Sequence, residues 1–152
     1  MKNSLLLVSA VLLVTCFTQC KKKDATTLVV PPNTLTVTSL PTENLVVSSG
    51  MFTDSGKTYY GLEGIDISGV YPQVNVTMAQ KPTSNYSVTF PNTAPGINVS
   101  LYDKNNTAYT ISNGVVSVNI VNSSIVVSFF GVLFTSHASQ DSLLVNGSMA
   151  GN

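Results

Sequence analysis

Val115-Val116-Ser117-Val118-Asn119-Ile120-Val121, then Asn122-Ser123, then Ser124-Ile125-Val126-Val127-Ser128-Phe129-Phe130-Gly131-Val132-Leu133-Phe134-Thr135 is the stretch that decides how this chain folds. In its first part Val116, Val118 and Ile120 alternate with Ser117 and Asn119. A period of two sends every second side chain to the same face, so the pattern predicts a strand with one face on a core and the other in water. Asn122-Ser123 then predicts a turn. The second part is the most apolar run of the domain and predicts a central strand, with Gly131 at a bulge or a bend. It is also the segment most prone to aggregate if the fold opens.

The same alternation continues outward in both directions. Ile97, Val99 and Leu101 alternate with Asn98 and Ser100, and Leu35-Thr36-Val37-Thr38 alternates as well. From Leu35 onward no segment carries a helical period. Turn signals punctuate the chain at short intervals. Asp54-Ser55-Gly56 separates Leu45–Thr53 from Lys57–Gly61, and Lys104-Asn105-Asn106 separates Ile97–Asp103 from Thr107–Ser112. Asn113-Gly114 is a two-residue hairpin signal leading into Val115–Val121. Further strands are predicted near Ile65–Ser68, Val74–Met78, Tyr86–Phe90 and, opened by Asp141, over Ser142–Ser148. About nine or ten antiparallel strands in short hairpins predict an all-β fold, a two-sheet β-sandwich first and a closed or partly open β-barrel as the alternative.

Composition narrows the function classes. Only 9% of the 152 residues are charged, and the chain has no Arg and no Trp. From Leu35 onward three Lys face six acidic residues, a net of −3. A mildly acidic domain without Arg lacks the basic surface that nucleic acid requires. Hydrophobic residues at 43% argue equally against a disordered chain. Solubility rests on Ser, Thr and Asn.

Residues 1–19 read as a signal peptide. Lys2 supplies the positive charge, and Leu5–Phe17 an apolar core of about 13 residues, short of the roughly 20 of a spanning helix. Phe17-Thr18-Gln19-Cys20-Lys21-Lys22-Lys23-Asp24 resembles the lipobox and early mature region of Gram-negative lipoproteins. That resemblance implies lipidation of Cys20 as the first mature residue, several acyl chains of the palmitate kind, and anchoring in the outer membrane, on its periplasmic or its cell-surface face. The residue before the Cys is Gln19, where a small one is usual, and Cys16 after Leu13-Val14-Thr15 is the competing site. Cys20 is preferred because Phe17 still belongs to the apolar run and polar sequence starts directly after Cys20. Residues 20–34 then form the lipidated Cys and a tether stiffened by Pro31-Pro32, and residues 35–152 the all-β domain.

Within that domain several segments together resemble a family of bacterial lipoprotein domains of unknown function. They are Gly61 with Ile65-Asp66-Ile67-Ser68-Gly69, Asn85-Tyr86-Ser87-Val88, Asn113-Gly114-Val115-Val116-Ser117-Val118, Ser128-Phe129-Phe130-Gly131 and Leu144-Val145-Asn146-Gly147-Ser148. The resemblance implies an all-β envelope domain and no chemistry.

Candidate reactive groups are few. His137 is the sole His, and a Ser–His–Asp set could be assembled only from a Ser, His137 and Asp141, with no nucleophile elbow to present it. Glu63 and Asp66 would fall on opposite faces of a strand, as solvated charges rather than a catalytic pair. Asp103-Lys104-Asn105-Asn106 is rich in oxygen but lacks a calcium loop's spaced acids, and reads as a hairpin turn. Tyr59, Tyr60, Tyr71, Tyr86, Tyr102 and Tyr109 suit strands, and could also stack on a sugar or a partner. Asp141-Ser142-Leu143 resembles a bacterial O-glycosylation sequence, with Ser142 as the acceptor. No catalytic residue, metal site or cofactor is expected. The expected protein is a non-enzymatic envelope lipoprotein whose domain binds or associates with a protein or glycan partner. The alternative is a carrier of a small apolar molecule or glycan, in a barrel cavity or on an aromatic face.

Overall fold

A computed structural model of the chain describes residues 29–38, 40–71, 73–91 and 96–152. The expected signal segment, Cys16, Cys20 and most of the expected tether lie outside the described residues. Among those described there is no helix, and nine strands run β1 (Thr34–Val37), β2 (Glu43–Asp54), β3 (Lys57–Asp66), β4 (Gln73–Met78), β5 (Tyr86–Phe90), β6 (Ile97–Tyr102), β7 (Ala108–Val121), β8 (Ser124–Thr135) and β9 (Ser142–Gly151). Every pairing is antiparallel.

The strands follow one another in the order β7-β6-β4-β3-β2-β1-β9-β8, and β8 pairs back onto β7. Eight strands therefore close a barrel, the alternative to the two-sheet sandwich. The ninth, β5, continues along the β7 edge where β6 stops: β6 covers Ala108–Thr110, and β5 covers Gly114–Val118. Short hairpins occur in both architectures. The long-range pairing of β1 with β9 separates them, and local pattern does not encode it.

Two hairpins form where turn chemistry predicts them. Ser55 and Gly56 at φ 49° and 76°, and Asn122 and Ser123 at φ 50° and 70°, give two-residue loops with both residues left-handed. Their twist matches that of the flanking strands. Asn113-Gly114, by contrast, is not a hairpin. The chain runs straight through it within β7, and both sides pair with β8, through Ile111↔Phe134 and Val115↔Phe130. The dipeptide instead absorbs two register shifts, with Gly114 at φ 122° and so close to Val132 that a β-carbon would sit 2.9 Å from its Cα. Two predicted strands thus merge into β7. Ile65 likewise belongs to β3 rather than to a separate strand.

Gly131 stands at a bulge, with φ 61° and a register shift against β9 between Phe129 and Val132. Its freed amide donates to Asn146 Oδ1 at 2.8 Å. The bulge turns Phe130 outward, 89% exposed, while Phe129, Val132 and Phe134 stay inside.

Most inward positions of the barrel are apolar, with Asp66 and Ser148 as buried polar exceptions. Leu35, Leu62, Val76, Met78, Val99, Leu101, Tyr109, Val118, Ile125, Val127, Phe129, Phe134 and Met149 join one buried cluster. An eight-stranded barrel is just wide enough for side chains to fill it. The outward positions next to them include Ser48, Glu63, Gln73, Asn75, Thr77, Asn98 and Ser100, by register, together with exposed Val46, Phe52 and Ile65. A filled apolar lumen with a wall of mixed, largely polar residues differs from a membrane-spanning barrel, whose lumen is polar and whose outer band is apolar. No helix among the described residues is long and apolar enough to cross a membrane.

β1 is the wedge that closes the ring. Thr34 and Leu35 pair with Asn44 and Glu43 on one side, and Thr34–Val37 pair with Ser148–Val145 on the other. Just before it, Asn33 stitches the same two strands: its carbonyl accepts from Leu45 N at 2.9 Å, and its Oδ1 from Ala150 N at 2.7 Å. Ser148 Oγ donates to Pro32 O at 2.7 Å. At Gly147 a β-carbon would overlap the Thr34 carbonyl oxygen, so only glycine lets β1 approach this closely.

Two outcomes follow from this packing. Leu35→Ala empties a fully buried position in the closing strand and is expected to lower the unfolding free energy by about 2–5 kcal/mol in urea titration. Burial, with the Tyr109 and Asp103 charges adding to it, raises the Tyr71 pKa above the ordinary 10.0, and burial raises that of Tyr86. The stability these neutral phenols contribute is complete below pH 10 and is lost as pH climbs through the raised values. The urea midpoint is therefore expected to fall above pH 10, less steeply in Tyr71→Phe.

Candidate functional site

On the outer wall a broad trough is lined by β2, β3 and β4, with a volume of about 470 Å³; a second recess of about 310 Å³ lies beside Pro82, Tyr86 and Gly96. The floor of the trough is a glycine pair. Gly50 and Gly61 are direct cross-strand partners, each four residues from the Asp54–Lys57 pair that closes the hairpin. On their level the sheet presents backbone where its neighbours present side chains.

At one end stands Phe52, 43% exposed. Its ring leans over Gly61, with Cε1 2.9 Å from where a β-carbon on residue 61 would sit. Behind it Tyr59, its cross-strand partner, stacks at 5.5 Å between centroids and 27° between planes. The other end is polar. Gln73 Nε2 donates to Glu63 Oε1 at 2.6 Å and to Asn75 Oδ1 at 3.1 Å. These three half-buried side chains lock one another in place, because Glu63 and Asn75 are direct partners and Gln73 is diagonal to them.

Glu63 and Asp66 do lie on opposite faces. Asp66, however, is not a solvated charge: it points inward at the barrel end and is 3% exposed. Its carboxylate accepts from Ser68 N at 2.8 Å, Ser68 Oγ at 2.6 Å and Tyr71 N at 3.2 Å, and its carbonyl from Gly69 N at 3.2 Å. Three donors take the place of a counter-ion and fold the 66–71 turn back onto the barrel. Alternation reveals which face Asp66 is on. It does not reveal that the following turn curls under and covers it.

The other candidates separate in space. His137 and Asp141 are exposed in the turn after β8, whereas Ser136 is buried. The Ser136 hydroxyl accepts from Ala138 N at 3.3 Å and Ser139 N at 3.4 Å, which makes it the organiser of that turn. Asp103 Oδ1 accepts from Asn105 N at 2.9 Å and Thr107 N at 2.8 Å, so the carboxylate shapes the β6–β7 hairpin. Among the described residues no group of three or more His, Cys, Asp or Glu side chains comes together. Ser142 is exposed at the first position of β9.

The tyrosines divide by face. Tyr60 and Tyr109 are core, and Tyr71 and Tyr86 pack against it. Tyr59 braces the exposed Phe52, and Tyr102 is half-buried at the end of β6. Phe52, Gly50 and Gln73 were not singled out in the sequence, and Gly61 figured there only as a strand end and in the family resemblance. The hairpin arithmetic around Ser55-Gly56 carried a signal for the glycine pair, since any two-residue loop there places Gly50 opposite Gly61.

Space inside the barrel is scarcer. The recess beside Leu35, Val37 and Tyr71 measures about 30 Å³, room for about one water. The chain matches no known protein family, no curated protein and no solved structure.

Asp66→Ala is expected to lower stability by about 2–4 kcal/mol, because it strands three donors at a buried turn. His137→Ala is expected to stay within about 0.5 kcal/mol of the parent. Paired thermal melts check both.

Proposed function

We propose that this chain is a lipid-anchored protein of the outer membrane whose barrel is a non-enzymatic binding domain, working through its outer wall rather than its lumen. The observation that carries the reading is the contrast between the two faces. Phe129, Phe134, Tyr60, Leu62 and Met149 occupy the lumen, while the wall holds an open trough with an aromatic end and a polar end. Cell-envelope binding domains need an accessible face of this kind, and a carrier needs a vacant interior.

The division of labour between anchor and barrel supports the same reading. A barrel with Ser, Thr and Asn on its wall gains nothing from contact with acyl chains, so attachment falls to the N-terminal segment. Thirteen peptide steps separate Cys20 from Asn33, where the chain is stitched between β2 and β9. At about 3.1–3.5 Å each they span about 40–45 Å when extended, enough to hold the trough clear of the headgroups.

Metabolic labelling with a radioactive fatty acid tests the anchor. The wild-type chain is expected to take up label and sediment with membranes, and Cys20→Ala to lose both properties. Label retained by Cys20→Ala but lost in Cys16→Ala would move the site to Cys16. Label retained by the double variant would sink the anchored reading.

A further inference from the structure

We propose that the trough between β2, β3 and β4 is a binding site for a neutral glycan, an inference that rests on the reading of the barrel as a binding domain. The first observation is Gly50. It has an ordinary extended backbone rather than a left-handed one, and a β-carbon there would meet nothing within 4 Å. Neither turn geometry nor packing requires a glycine, which weakens a strand interior through its entropy. A glycine mid-strand with open space above it marks a place where another molecule comes close to the backbone.

The second observation is the chemistry at the two ends of that space. A pyranose ring has an apolar face of C–H groups and a rim of hydroxyls, each both donor and acceptor. Phe52 supplies the complement to the first, since an aromatic face carries negative charge density and attracts C–H hydrogens. Tyr59 holds the ring in place before any ligand arrives. The interlocked Glu63, Gln73 and Asn75 supply the complement to the rim. Glu63 Oε1 and Asn75 Oδ1 both accept from Gln73 Nε2; Glu63 and Asn75 line the trough, and their remaining polar atoms are by chemistry an acceptor, Glu63 Oε2, and a donor, Asn75 Nδ2. A carboxylate oxygen next to an amide donor suits a pair of vicinal hydroxyls.

Charge selects among glycans. The trough contains Glu63 and no cation, on a domain of net −3 from Leu35 onward. Uronic or sulfated chains would be repelled, and neutral chains would not. A volume of about 470 Å³ lies within the roughly 300–1,000 Å³ typical of small-molecule sites.

The test is native affinity electrophoresis of the full chain, purified in detergent, through gels containing hydroxyethylcellulose, xylan or galactomannan. At least one of these is expected to retard the protein. Phe52→Ala and Gly50→Val are each expected to weaken that retardation at least tenfold, and Glu63→Gln several-fold. His137→Ala should migrate as the parent does. Gly50→Val puts a good strand former into open space, so its melting temperature should match or exceed the parent's while binding is lost. Retardation that survives both Phe52→Ala and Gly50→Val overturns the site. Absence of retardation in all three gels overturns the glycan. In that event a photoreactive residue at Ser48 in intact cells separates the two readings. A crosslink to a defined protein leaves the outer-wall binding domain standing with a protein partner, and no crosslink removes that reading too.

Discussion

Four residues hold the ring shut. Thr34–Val37 pair with β2 on one side and β9 on the other, and without them both strands would present open hydrogen-bonding edges. The burial of Leu35 and Val37 drives the wedge inward. Its position is set by Asn33, which spends one backbone and one side-chain oxygen on opposite neighbours. Where β1 has not yet entered, Asn152 takes over. Its carbonyl oxygen accepts from Ser49 Oγ at 2.9 Å and Tyr60 OH at 3.1 Å, and its Oδ1 from Ser124 Oγ at 2.7 Å. The two ends of the described domain therefore meet in the same seam, which closes the ring around a core of buried side chains.

Closing eight strands around side chains requires sharp bends, and the glycines mark where they fall. Gly131 bulges away from β9, Gly114 admits Val132, and Gly147 admits β1, all in the β7-β8-β9-β1 part of the wall. Gly64 does the corresponding work inside, where a β-carbon would stand 2.9 Å from the Met149 methyl. Gly50 stands apart from this set, since its backbone is not left-handed and nothing in the fold occupies the space it leaves. The difference between glycines the barrel needs and one it does not need is what separates structure from site in this molecule.

Low charge shapes both faces. With few ions to place, the domain satisfies its buried polar groups by hydrogen bonds with neutral partners, accepted at Asp66 and Ser136 and donated by Ser148, and no buried side-chain polar atom among the described residues is left unpaired. The same economy leaves Glu63 as the one ionic group lining the trough, hydrogen-bonded by the Gln73 amide rather than paired with a cation. Such a surface discriminates by shape and hydrogen bonding, not by long-range attraction.

Much of the fold was legible in the sequence, because strand period and turn chemistry are local. Alternation at Ile97–Leu101 and Val116–Ile120 assigned their inward faces, and Ser55-Gly56 and Asn122-Ser123 made their hairpins. Gly131 bulged as its place in an apolar run implied. Asn113-Gly114 was misleading for a physical reason. A turn dipeptide closes a hairpin only if its flanks pair with each other, and here both flanks found a better partner in β8. Tertiary structure alone decided that the sheet closes on itself, since a four-residue strand joining residues more than a hundred positions apart has no local signature. It also decided the site. Phe52, Glu63, Gln73 and Asn75 come from three strands, and only the register between those strands makes a trough of them.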